Sequence, residues 1–249
     1  MKRYFGNFLL MFQVLTRIPI NKALPCTNDD FKRGSNFFAV VGLIIGLIQF
    51  IVYLVLRNVF NLDIMVIIII VIDILITGGF HIDGFGDTCD GFFATKGKDK
   101  IIDIMKDSRI GTFACIGIII NLLIKFIGYG TILSNTTSYI IVLLPMISRI
   151  SIILISYIGK PAKKNGSGNL FINTVTFKEV LINYLIFILI AIFIVDLKML
   201  FVILIASIIT TVLFNKYCNS KINGITGDSL GANNELVILI LLIILSGKF

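Results

Sequence analysis

The sequence predicts an all-α, polytopic integral membrane protein: about seven transmembrane helices, preceded by an N-terminal amphipathic helix lying in the membrane interface. Two observations predict it. Of the 249 residues, 57% are hydrophobic and only 14% charged, with a mean hydropathy of +1.00, against roughly 45–50% and 25% in soluble domains. Apolar runs also recur at a length that suits a helix crossing a bilayer, about 20 residues each. The composition excludes a disordered, collagenous or low-complexity chain, and no internal period points to a solenoid. Residues 1–249 read as a single integral membrane catalytic domain.

Each element follows from its pattern. Phe5, Phe8, Leu9 and Phe12 recur at i, i+3, i+4 and i+7, so the stretch before Pro19 reads as the interfacial helix. Met1-Lys2-Arg3 ahead of it imitates a secretory leader, but no small-residue cleavage site follows, and the segment is kept as structure. The spans are Phe37–Leu56, Ile64–Phe80, Ile110–Leu133, Tyr139–Ile158, Val180–Val195, Lys198–Phe214 and Glu235–Ser246. The last is short enough to be a tilted span or a re-entrant segment. Cys26, Cys89, Cys115 and Cys218 form no CxxC pair and read as small apolar residues.

Lysine and arginine set the orientation, because cytoplasmic loops retain positive charge. With the N-terminus inside, only Arg57, Lys198 and Lys248 of the 22 Lys and Arg fall outside, while Lys125 and Arg149 lie within spans. The net charge of +8 is therefore a topology signal, and no nucleic-acid motif accompanies it. The expected location is the cell membrane, with the loops His81–Arg109, Gly159–Lys178 and Asn215–Asn234 cytoplasmic. Oligomeric state is left open, a homo-oligomer included.

Chemistry concentrates in those loops. Asp83, Asp87, Asp90, Asp99, Asp103 and Asp107 all fall in the first. Asp83, Asp87 and Asp90 stand at i, i+4 and i+7, so a helix continuing from the second span places them on one face. Two such charges ~4 Å apart repel by ~4 kcal/mol at an effective dielectric near 20, a repulsion that a hard divalent cation removes. Mg²⁺ is the expected cofactor, held by Asp83, Asp87, Asp90 and Asp107. Glycines between the acids, Gly84 among them, admit a phosphate or a neighbouring backbone. Carboxylates, metal and phosphate together suit phosphoryl transfer. His81 fits either a hydrogen-bonded structural role or a substrate contact. Lys106 and Arg109 suit phosphate oxygens, with an interfacial anchor as the alternative. Lys163 and Lys164 join a glycine-rich turn that suits phosphate but lacks the P-loop GK[ST], and Asp228, among glycines beside the last span, reads as a second metal or hydroxyl contact toward substrate. Asp73 and Arg149, buried in spans, read either as an ion pair or, for Asp73, as support beneath the acids.

The segment Gly78-Gly-Phe-His81-Ile-Asp83-Gly-Phe-Gly-Asp87-Thr-Cys-Asp90-Gly91, followed by Met105-Lys-Asp-Ser-Arg-Ile-Gly111, resembles the cobalamin synthase (adenosylcobinamide-GDP ribazoletransferase) family. Phe12-Gln-Val-Leu-Thr-Arg17-Ile-Pro19, Phe38-Ala-Val-Val-Gly42-Leu-Ile-Ile-Gly46 and Thr226-Gly-Asp228-Ser-Leu-Gly231-Ala-Asn-Asn-Glu235-Leu are similar to its other signatures. Cys89 departs from an expected Ala, and Lys163-Lys164 from an Arg-rich or acidic loop. The resemblance implies an enzyme joining adenosylcobinamide-GDP to α-ribazole or its 5′-phosphate with Mg²⁺ and release of GMP. It further implies attack by the ribazole 5′-hydroxyl, an Asp of the cluster as base, and Arg109 on the leaving group. Two rivals remain. Asp87-Thr-Cys-Asp90-Gly91-Phe-Phe-Ala94 opens like a CDP-alcohol phosphotransferase motif, but Thr95 stands where Arg is required and Ile104 where Gly is. A small cation-coupled permease would use Asp73 and Arg149 but leave the acid cluster unexplained.

Overall fold

The computed structural model describes residues 2–94, 97–134, 138–164 and 166–247. Met1, Thr95, Lys96, Asn165 and Lys248, which carry some of the expected charge and motif positions, lie outside the described residues. The first helix, α1 (Lys2–Leu15), is the expected amphipathic element. It turns Asn7, Leu10, Met11 and Leu15 onto the protein and leaves Phe5 exposed, with Phe8 and Phe12 half-buried. Those three phenylalanines stack along its outer face at 6.2 and 5.9 Å between ring centroids, an apolar surface that suits an interface.

A short helix, α2 (Asn28–Gly34), opens with a capping box in which Thr27 and Asp30 bond each other reciprocally. It continues through a single 3₁₀ turn into α3 (Phe38–Leu56). After α4 (Leu62–Thr77), Gly78 and Gly79 both take positive φ, 69° and 71°, a conformation open to residues without a Cβ. The chain turns by 90° there. The acid-bearing segment is therefore not a continuation of the second span: it is a separate helix, α5 (Phe80–Phe93), which we read as lying across the end of the bundle. The turn is tied down by the segment that follows α1, since Arg17 N–H donates to Ile76 C=O at 2.6 Å.

Beyond α6 (Lys98–Ile104) come α7 (Thr112–Ser134) and α8 (Leu143–Ile158), the latter preceded by a 3₁₀ stretch from Ser138. Then follow α9 (Phe177–Ala191), α10 (Leu197–Ile222) and α11 (Gly227–Leu245). The last segment is longer than expected: Thr226 caps it and it runs 19 residues, long and apolar enough to cross a membrane. Among the described residues, five helices are long and apolar enough to cross a membrane, or six if the bent pair α4 and α5 counts as one. The expected seven stretches all form helices, but α9 stops at 15 residues because the chain turns before Asp196, which caps α10. The described residues contain no strand, and one isolated parallel bridge joins Pro161 to Ile225.

Two apolar clusters fill the bundle. One, around Tyr53, Ile69, Tyr129, Phe187 and Val237, lies away from the long connections; the other, around Met11, Phe38, Phe92, Phe171 and Leu230, lies beneath them. Between the helices sit four buried ionisable side chains. Asp73 on α4, Lys125 on α7, Arg149 on α8 and Glu235 on α11 balance one another in charge. Lys125 Nζ meets Glu235 Oε2 at 2.6 Å and Asp73 Oδ2 at 3.9 Å, and Arg149 Nη2 meets Asp73 Oδ1 at 4.0 Å. Gln49 and Asn121 donate into the group, to Asp73 at 3.0 Å and to Glu235 at 2.9 Å. Asp73 and Arg149 do pair, as an ion pair rather than as support for the acids. Removing one member leaves a buried charge without its partner, which costs about 3–5 kcal/mol. Lys125→Met should therefore lower the unfolding free energy of the detergent-solubilised protein by about that amount. Lys125→Met with Glu235→Gln, which restores neutrality, should recover much of the loss.

Candidate functional site

The site is built where α5 crosses the first turns of α11. A Cβ at Gly84 would stand 2.8 Å from the carbonyl oxygen of Asp228, and one at Gly231 would stand 3.2 Å from the backbone of His81. Glycine at both positions lets the two helices touch backbone to backbone. Asp83 and Asp87 on α5 are thereby set beside Asp228 in the first turn of α11. Burial, and then the charges of Asp83, Asp228 and Asp90, push the Asp87 carboxyl up to about 7. The repulsion expected from the spacing is thus present in the folded chain, with Asp228 as a fourth member.

Asp90 has a different occupation. Its two oxygens accept from Gly111 N–H at 2.7 Å and Ala114 N–H at 2.8 Å, so it caps the N-terminus of α7. Asp107 is held by Arg109, whose Nη2 and Nε approach it at 2.6 and 3.0 Å. This pair is exposed, and the guanidinium holds the Asp107 carboxyl down at about 2. The structure therefore brings together Asp83, Asp87 and Asp228, and leaves Asp107 and Arg109 in the loop before α7. His81 is buried beneath the crossing, with no hydrogen-bond partner for Nε2 among the described residues.

Two pockets adjoin at Gly227 and Asp228. The first, about 390 Å³, is lined by Asp83, His81 and Gly84 together with aromatic and aliphatic side chains of α1, α2, α5 and the 168–171 turn. The second, about 250 Å³, is lined by Lys106, Lys163, Asn169 and Thr226. Backbone pairing holds its wall: Ala162 N–H donates to Ile225 C=O and Ile225 N–H to Lys160 C=O, each at 2.9 Å. Burial and then Lys106 lower the Lys163 ammonium from its ordinary value, while Asp228 opposes them. Lys164 is exposed, and its carbonyl accepts from Asn169 at 3.1 Å. The sequence reading did not find Phe31, Phe171, Val14 and Leu15, which line the first pocket from distant segments, nor Glu235 as a buried anchor of α11.

Among the described residues no three His, Cys, Asp or Glu side chains converge closely enough to hold a metal by themselves. The donors that face one another are nonetheless hard carboxylate oxygens carrying uncompensated repulsion. Mg²⁺ commonly takes one or two carboxylates and completes its shell with waters and substrate phosphates. Asp83 and Asp87 fit that mode.

A bundle of membrane-spanning helices that carries an acidic cluster against a lysine-lined pocket at one end defines the class: a polytopic membrane protein with a site suited to phosphate-bearing substrates. Residues 7–246 match the family described as cobalamin-5-phosphate synthase, and the chain belongs to that family. It is 47% identical over 236 residues to an adenosylcobinamide-GDP ribazoletransferase of Clostridium tetani, covering 94% of each chain. It is 44% identical over 247 residues to the protein of the same name from Clostridium kluyveri, covering 98% of each. No solved structure matches.

The division of labour among the acids is open to test. Asp90→Ala should lower the thermal stability of the solubilised protein by the ~0.5–2 kcal/mol typical of a lost cap. Asp87→Asn removes a charge that its neighbours repel and should leave stability unchanged or raise it. Equal destabilisation by the two would contradict this assignment.

Proposed function

We propose that the protein is a Mg²⁺-dependent adenosylcobinamide-GDP ribazoletransferase of the cell membrane, working on its cytoplasmic side. It joins adenosylcobinamide-GDP to α-ribazole or its 5′-phosphate and releases GMP. The observation that carries the reading is the meeting of the carboxylates of α5 and α11 with the lysine-lined pocket at Asp228, in a chain of this family. The lysine and arginine asymmetry of the sequence supports the cytoplasmic placement.

The diphosphate of the donor lies against Lys106 and Lys163, whose ammonium groups offset its charge, with Lys164 at the rim. Arg109 reaches the departing GMP, exchanging Asp107 for phosphate oxygens. Asp83 and Asp87 would hold the cation, which when bound neutralises the diphosphate and the charge that develops on it. An acceptor hydroxyl attacks the phosphorus bearing cobinamide; the bond from that phosphorus to the GMP oxygen breaks, and the hydroxyl proton passes to a carboxylate and then to water. The family name describes a product that keeps a 5-phosphate. A 5′-oxygen already phosphorylated cannot also be the nucleophile, so the attacking group is a secondary ribose hydroxyl rather than the 5′-hydroxyl implied by the resemblance. Neither rival gains support. Asp90 of the CDP-alcohol-like motif is engaged by α7, and Asp73 and Arg149, the residues a permease would use, sit in a neutral ion cluster.

The purified protein given adenosylcobinamide-GDP and α-ribazole should release GMP, stop with excess EDTA and recover with Mg²⁺. Asp83→Asn and Asp87→Asn should each lower turnover by at least ~100-fold, about 2.7 kcal/mol of transition-state stabilisation. Full turnover of both variants in EDTA would overturn the reading.

A further inference from the structure

The aromatic pocket has a chemistry distinct from the rest of the site. Phe171 stands edge-on to Phe31 and to Phe38, with ring centroids 5.6 and 5.3 Å apart and interplanar angles of 79° and 78°. Val14 and Leu15 of α1 close one side, so the interfacial helix forms a wall of the pocket. Among the described residues its charged lining is acidic: Asp83 and Asp228, with no Lys or Arg. Apart from these acids and His81 its walls are apolar and aromatic, which favours a flat, apolar ring system carrying hydroxyl groups. The lysines needed for the diphosphate line the adjoining pocket instead.

The two substrates of the proposed reaction divide along the same line. The donor brings a diphosphate and a guanine whose edge is rich in hydrogen-bonding groups. The acceptor brings dimethylbenzimidazole, a flat bicyclic ring with two methyl groups, attached to a ribose. At about 390 Å³ the cavity is of nucleoside size, far too small for a corrinoid.

We infer that this pocket, under α1, is the binding site for the acceptor: its base lies against Phe31 and Phe171, and its ribose points to Asp228. The inference rests on the transferase reading for the identity of the acceptor, but the pocket itself is tested by binding alone. Asp228 borders both pockets, so an acceptor seated this way has its ribose hydroxyls where the diphosphate in the neighbouring pocket begins. Asp228 is then the carboxylate placed to orient the attacking hydroxyl and accept its proton. The gradient from aromatic floor to acidic mouth fixes which end of the acceptor faces the donor.

Two variants of the full-length protein test this without depending on turnover. Val14→Trp fills the pocket from its half-open rim, and Phe171→Leu keeps an apolar residue there while removing the ring. Calorimetric titration of the solubilised protein with α-ribazole, and separately with 5,6-dimethylbenzimidazole, should show binding to the wild type. Both variants should weaken it by about tenfold or more, while retaining the wild-type elution profile and circular dichroism. In steady state, KM for α-ribazole should rise by a similar factor, with KM for adenosylcobinamide-GDP within about twofold of the wild type. A rise confined to adenosylcobinamide-GDP would place guanosine in the pocket and overturn the inference. Unchanged α-ribazole binding in Val14→Trp would overturn it as well. The transferase reading fails separately: a wild type that binds α-ribazole in this pocket but releases no GMP would sink that reading and uphold the pocket.

Discussion

The backbone contact between α5 and α11 is the constraint on which the site depends. Helices normally stay 8–10 Å apart because side chains stand between them. At Gly84 and Gly231 none does, and the first turns of the two helices touch. That contact places Asp228 beside Asp83 and Asp87, though they are far apart in sequence. It also places Asp228 on the border between an apolar pocket and a basic one. The 90° turn at Gly78 and Gly79 is the other half of the arrangement, since a straight continuation of α4 would carry the acids away from α11.

A contact between two helix ends is useful only if both helices are fixed. The bend leading into α5 is held by the bond from Arg17 to Ile76 at the end of α4, and α5 itself is fixed toward its end by Asp90, which joins it to α7. Lys221 Nζ adds a bond to the Phe92 carbonyl at 2.7 Å. α11 is fixed lower down, where Glu235 enters the neutral ion cluster with Lys125, Asp73 and Arg149. Charged groups are expensive in an apolar interior and persist there when they compensate one another. Glu235 lies seven residues beyond Asp228, about two helical turns, so its ion pair sets the rotation of α11 and with it the direction of Asp228.

Helix existence and the polar segments that matter were legible in the sequence, because apolar runs and an acidic stretch are local signals. The seven stretches all form helices, and Asp83, Asp87 and Asp228 lie near enough to feel one another's charge. Relations between elements were less legible. A Gly-Gly pair is compatible with a loop, a kink or a turn, and only the packing of α5 on α11 selects the 90° bend. Asp90 and Asp87 look alike in sequence, three residues apart on one helix, yet the start of α7 engages one and leaves the other among like charges. Asp107 is similar: Arg109, two residues away, satisfies it locally. Glu235 read as the start of a short span because the helix boundary was placed eight residues late, past the Thr226 cap that begins α11. The walls of the aromatic pocket come from α1, α2 and the 168–171 turn, so no single segment carried its signature.

The central claim is that turnover depends on the close crossing of α5 and α11, and Gly84→Ala tests it most directly. In an exposed helix this substitution stabilises by up to ~1 kcal/mol, since alanine is the better helix former. At the crossing the new methyl group meets the Asp228 carbonyl at 2.8 Å and forces the helices apart. GMP release per folded molecule and thermal stability should be measured together on the solubilised protein. The account predicts that both fall, with turnover reduced by about tenfold or more as Asp228 is displaced. A Gly84→Ala protein that is more stable than the wild type and releases GMP at the wild-type rate would contradict it.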